Sequence, residues 1–117
     1  MIENRTFDEI SIGDSAKLSR TVTQQDIDLF AVISGDVNPA HMDPAYAATD
    51  MFHKVIAHGM LGAGLISSVL GTKRPCPGTI YLAQDLPFLH PAAIGDTIAA
   101  TLSVTAKHPE KGDLVLD

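Results

Sequence analysis

An aspartate and a histidine five positions apart, Asp36 and His41, flank a turn in the run Ser34-Gly35-Asp36-Val37-Asn38-Pro39-Ala40-His41. A carboxyl and an imidazole held in one cleft suit proton-transfer chemistry, in which one group takes a proton from water and the other delivers one to carbon. Pro39 stiffens the turn between them. The same residues also have a plainer reading: Asp36 caps a turn, Asn38 makes an Asx-turn and His41 is a polar loop residue. The spacing by itself does not choose between the two. The pair offers two metal ligands with no third candidate beside it in the sequence, so no metal is expected.

A second group of candidates follows at His58-Gly59-Met60. A buried helix that starts at a glycine presents unpaired N–H groups and the positive end of its dipole, where a developing oxyanion is stabilised. A tight loop-to-helix junction accounts for the same residues. His58 is read as a packed or turn-stabilising histidine, and His53, His90 and His108 as loop residues. Lys73-Arg74, between Gly71 and Pro75, either grips phosphates or complements a helix C-terminus. Cys76 has no basic neighbour at motif spacing. Ser67-Ser68 lacks the elbow motif of a serine hydrolase.

The elements that must position these groups are legible in the pattern. Ala16 to Val22 alternates as a short half-buried strand after the turn Ile12-Gly13-Asp14. Thr23, with Asp26 three positions on, opens a helix whose inner face carries Ile27, Phe30, Ala31 and Ser34 and which stops at Gly35. Asp43-Pro44 starts a short helix through Tyr46, Ala47 and Ala48. From Gly59 to Leu70 every residue is apolar or tiny, so this helix has no polar face and is expected to be buried, ending at Gly71. The remainder reads as strands. Thr79 to Leu89 is one with a bulge or edge at Pro87, Thr97 to Lys107 follows the turn Ile94-Gly95-Asp96, and Leu114-Val115-Leu116 begins a third.

One strand, a helical insert and an antiparallel meander make α+β order. At 117 residues the expectation is a single domain over 1–117, and an apolar content of 45 % excludes a disordered chain. A net charge of -6 without a basic cluster disfavours nucleic acid and anionic membranes as partners. One cysteine permits no intrachain disulfide. The start of the chain has neither signal nor transit character, and Val55–Leu70 is too short and interrupted to span a bilayer. A cytoplasmic location is expected. Three and a half strands leave a raw sheet edge, so the C-terminal strands are expected to be incomplete and the domain truncated.

The stretch from Phe30 to His41, with Ser34-Gly35-Asp36-x-Asn38-Pro39-x-His41, resembles the signature of the MaoC-like, R-specific enoyl-CoA hydratases (hydratase 2 family). Asp43-Pro44-Ala45-Tyr46-Ala47, Phe52, Ile56-Ala57-His58-Gly59-Met60, Tyr81-Leu82-x-Gln84-x-Leu86-x-Phe88 and Pro91-x-x-x-Gly95-Asp96-Thr97 extend the likeness over nearly the whole chain. The resemblance implies a hot-dog fold, an antiparallel sheet wrapped round a central buried helix. It implies a hydro-lyase in which Asp36 and His41 activate water and protonate the α-carbon of a trans-2-enoyl-CoA, giving the (R)-3-hydroxyacyl-CoA. Gly59 would hold the thioester oxygen, with Asn38, Met60, Leu65, Ile66, Lys73 and Arg74 contacting substrate. It further implies no cofactor beyond the coenzyme A of the substrate, a homodimer, and a possible fusion to a phosphate acetyl- or butyryltransferase. Against this stands a non-catalytic acyl-thioester binding or assembly domain of a larger bifunctional protein. A thioesterase on the same fold would need a carboxylate on the helix, and Gly59–Leu70 has none.

Overall fold

Capping residues set the helix boundaries. The computed structural model, which describes residues 4–73 and 78–117, carries β1 (Ser15–Thr21), α1 (Gln24–Ser34), α2 (Pro39–Met42), α3 (Pro44–Ala47), α4 (Gly59–Thr72), β2 (Thr97–His108) and β3 (Asp113–Leu116). At α1 the Thr23 hydroxyl accepts from the Asp26 N–H at 3.2 Å while the Asp26 carboxylate accepts from the Thr23 N–H at 3.1 Å, the reciprocal box expected of this spacing. Gly35, at φ 74°, ends the helix in the left-handed region. Asp43 caps α3 by accepting from Ala45 and Tyr46 N–H, with Pro44 in the first turn.

The strands form a three-stranded sheet in the order β1-β2-β3. β2 and β3 are antiparallel, with Val104 opposite Leu116, Ala106 opposite Val115 and a register shift between these pairs. β2 alternates as its sequence requires, burying Ala100, Leu102 and Val104.

The chain divides into two compact units, one comprising the spans up to Leu18, Gly64–Gln84 and Ala99–Asp117, the other Ser19–Ala63 and Asp85–Ile98. The first is built on Val69, Ala100 and Leu102, with Leu18, Leu65, Ile66 and Leu70 packed around them. The second is built on Val22, Ile27 and Ala57, with Met42, Val55, Leu61 and Ile98 around them. Each fully buried aliphatic side chain contributes about 1.5–3 kcal/mol.

Each unit contains one Ile-Gly-Asp turn, and the two are bonded alike. Gly13 donates to the Val104 carbonyl at 2.8 Å and Val104 N–H returns to the Asp14 carbonyl at 2.8 Å. Gly95 donates to the Val22 carbonyl at 2.9 Å and Val22 N–H returns to the Asp96 carbonyl at 2.8 Å. The glycines sit at φ 95° and 92°, a conformation that a side chain disfavours. Each aspartate carboxylate accepts from an N–H three residues earlier, Ser11 and Ala93 respectively.

Three expectations change. Residues 79–89 form no strand among the described residues; Pro87 lacks an N–H, the run lacks clean alternation, and Ile80, Leu82, Phe88 and Leu89 stand exposed. Gly71 does not end α4, which continues to Thr72. That helix is half-covered rather than enclosed, burying Ala63 and Val69 while Met60 is 50 % exposed. No helix among the described residues is long and apolar enough to cross a membrane.

Candidate active site

The second unit brings the predicted acid–base pair together and adds a third group. Asp36 follows the Gly35 cap, exposed, with its N–H bonded to Ser34 Oγ at 3.1 Å and its Oδ1 accepting from Asn38 N–H at 3.2 Å. His41 lies in α2, whose start Asn38 caps by accepting from Ala40 N–H at 3.0 Å. The Asx geometry of the plainer reading is present, and it carries the two side chains to one place.

His41 is half-buried and its Nδ1 lies 2.7 Å from the Ile56 carbonyl oxygen. A carbonyl only accepts, so Nδ1 carries the proton and Nε2 keeps its lone pair. His58 is 3 % exposed and stacks on His41, with ring centroids 4.0 Å apart and an interplanar angle of 30°. Phe30, from α1, lies 4.7 Å from the His58 ring centroid. His58 Nε2 is 2.8 Å from the main-chain carbonyl oxygen of Asp36. One ligating atom from each of Asp36, His41 and His58 lies within 4.8 Å of the others.

His58, read from the sequence as a packed or turn-stabilising histidine, is both, buried and bonded to the Asp36 carbonyl, and it also joins this cluster. Its signal was present: it is the one polar side chain in an otherwise apolar segment, and a buried imidazole requires partners. It also corrects the view that a third metal ligand is lacking.

Gly59 opens α4 immediately after His58. Its N–H takes no hydrogen bond among the described residues, as the first turn of a helix dictates. A Cβ there would lie 3.0 Å from Cδ1 and Cε1 of Phe88, so only glycine leaves this close approach unstrained. Met60 follows it, half-exposed. The other sequence candidates are placed differently. Leu65 and Ile66 belong to the core of the first unit, packed against Val69, Ala100 and Leu102. Lys73 is exposed beyond α4, while Arg74 and Cys76 lie outside the described residues.

The sequence profile of the family described as MaoC like domain matches residues 9–115. The chain is 53 % identical over 105 residues to an (R)-specific enoyl-CoA hydratase of Rhodospirillum rubrum, covering 90 % of this chain and 73 % of that one. It is 43 % identical to the (R)-specific enoyl-CoA hydratase of Aeromonas caviae, covering 87 % of this chain and 76 % of the relative. Among solved structures, the unliganded R-hydratase PhaJ1 from Pseudomonas aeruginosa superposes with a TM-score of 0.86 at 40 % identity, over 97 % of this chain and 81 % of that one. The turn signature, the buried histidine beside it and these likenesses agree, and the chain belongs to the MaoC-like family, with its hot-dog fold.

Proposed function

We propose that Asp36 and His41 are the acid–base pair through which this chain hydrates a trans-2-enoyl-CoA to the (R)-3-hydroxyacyl-CoA. The reaction is reversible, so the enzyme is a hydro-lyase. The observation that carries the assignment is the Asp36–His41–His58 cluster, with atoms of all three within 4.8 Å. His41 Nε2, left with its lone pair by the bond from Nδ1 to Ile56, takes a proton from water as the hydroxyl adds to C3. Asp36 delivers a proton to C2, and His41 then returns its proton to Asp36 through solvent, so one water is added in total. The charge that develops on the thioester oxygen meets the Gly59 N–H at the positive end of α4. Asn38 and Met60 are assigned to contacts with the substrate. The acyl-CoA is the substrate, and no further cofactor enters these steps. The family match over 9–115 supports reading the chain as one such domain.

The homodimer implied by the family resemblance has support in exposed apolar surface. Leu29, Val32 and Ile33 recur on the outer face of α1 at 59 %, 81 % and 86 % exposure, and such stripes mark association surfaces more often than solvated ones. Sedimentation velocity reads this directly.

The deciding experiment follows loss of the conjugated enoyl-thioester absorbance with a short trans-2-enoyl-CoA, with chiral analysis of the product. Loss with the wild type alone, giving the R product, and none with Asp36→Asn is the expected result. Binding of the thioester by a folded dimer without any turnover would establish the acyl-thioester binding module instead.

A further inference from the structure

His58 touches neither water nor substrate in the steps above, yet it contacts both groups that do. We propose that His58 is the positioning residue of this site, with its Nε2–H holding the Asp36 main chain and its ring face holding His41; the proposal rests on the acid–base reading.

Three observations carry it. The Asp36 carbonyl oxygen accepts from Nε2 at 2.8 Å across 22 sequence positions. Apart from the Gly35 N–H, which closes α1 on the Ala31 carbonyl, the other hydrogen bonds at residues 35–38 run within residues 34–41, so among the described residues His58 supplies the hydrogen bond that ties the turn to a distant segment. Second, the ring is buried and in contact with both Phe30 and His41, which restricts its movement. Third, the segment that bears it grips the other catalytic side chain as well, since the Ile56 carbonyl accepts from His41 Nδ1. Residues 56–58 are themselves anchored, by the Ala57 N–H to the Ala92 carbonyl at 2.7 Å and the antiparallel bridge between Ile56 and Ala93. One short extended segment thus sets the separation of acid and base from two points two residues apart. Misplacing a reacting group by about 1 Å costs on the order of a hundredfold in rate, so such a device acts on kcat rather than on binding.

The contact also fixes a tautomer. With the proton on Nε2, Nδ1 keeps a lone pair, and this buried atom has no hydrogen-bond partner among the described residues. A polar atom left unsatisfied in that way is tolerated where the group's other contacts are required.

Two substitutions separate the hydrogen bond from the ring. His58→Phe keeps an aromatic face for His41 and removes the donor; His58→Gln places an amide N–H at similar reach and removes the face. The expected result is a kcat lowered about thirtyfold in His58→Phe with KM within about threefold, and at least a tenfold recovery in His58→Gln. A His58→Phe enzyme with wild-type kcat, or a His58→Gln enzyme no better than His58→Phe, overturns the proposal. Long-range ¹H–¹⁵N correlation spectra of the wild type provide a reading that does not depend on either variant folding. The Nε2–H tautomer at His58 is expected, and the Nδ1–H tautomer overturns it. Asp36→Asn run alongside keeps the two ideas apart, because full activity there removes the acid–base reading itself, whatever His58 does.

Discussion

The turns at Gly35-Asp36 and Gly95-Asp96 begin with the same dipeptide, belong to the same unit and use glycine at positive φ, 74° and 92°. They differ in what surrounds the carboxylate. Asp96 spends Oδ2 on the Ala93 N–H and its main-chain oxygen on the Val22 N–H, so the residue closes a turn and fastens a strand end. Asp36 accepts from Asn38 through Oδ1, and its main-chain oxygen is taken up by the His58 ring, a side chain from a distant segment. The difference shows how a fold converts one turn residue into two kinds of part. Both carboxylates accept from an amide of their own turn, but only Asp36 stands within 4.8 Å of two imidazoles, the setting that the proposed acid–base role needs.

The contrast is sharpest at its chemical end. Asp36→Asn is expected to lower kcat by about 10²–10⁴-fold with an unchanged melting temperature, because the Asn38 N–H still finds an oxygen; steady-state turnover beside a thermal melt checks both halves. Gly59→Ala comes next. Its Cβ meets the Phe88 ring at 3.0 Å, the helix start shifts, and kcat drops about tenfold while the fold persists. Asp96→Ala reverses the pattern, costing about 1 kcal/mol of stability, or about 4 °C in Tm, with kcat within twofold of wild type.

A third carboxylate sharpens the comparison by adding a charged partner. Asp26 accepts from the Arg20 guanidinium through both oxygens, at 3.0 and 2.5 Å, and with the Thr23 cap this holds its pKa at about 2, below the ordinary 3.8. A folded-state value below the unfolded one means stability present above pH 3.8 and lost as pH falls toward 2. The pair is exposed on the arginine side, so the effect is small, under about 1 kcal/mol. Acid titration of the unfolding midpoint in wild type and Asp26→Asn is expected to show a shallower decline in the variant over that range.

Local grammar was legible in the sequence and distant partnership was not. Thr23, Gly35, Asp43 and Pro44 mark helix ends because capping depends on residues within four positions of one another. The alternation of Ile98, Ala100, Leu102 and Val104 exposes β2 in the same way. The Asp36–His41 pairing was visible because one stiff turn carries both. What the pattern did not disclose was the contribution of His58, whose partners come from 22 positions away and from a neighbouring helix face. Nor did it show that residues 79–89 would stand open, since an apolar run reads as a strand whether or not a neighbouring strand exists to receive it. The covering of α4 was overestimated for the same reason: composition says that a surface is apolar, not how much of it one chain covers.

The contacts that close the sheet join the two ends of the chain. Thr21 and Thr97 share a hydrogen bond across 76 positions, and Lys107 Nζ donates to the carbonyls of Phe7 and Ile10 across 100 and 97. During synthesis at about 5–20 residues per second, the first strand therefore waits roughly 4–15 s for the residues that receive it. For that interval β1 is an unpaired edge, while α1, whose cap and stop are its own, has all it needs to form. Of the parts that surround the site, α1 can thus form before β1 meets its partner, whereas residues 56–58 wait for Ala92 and Ala93.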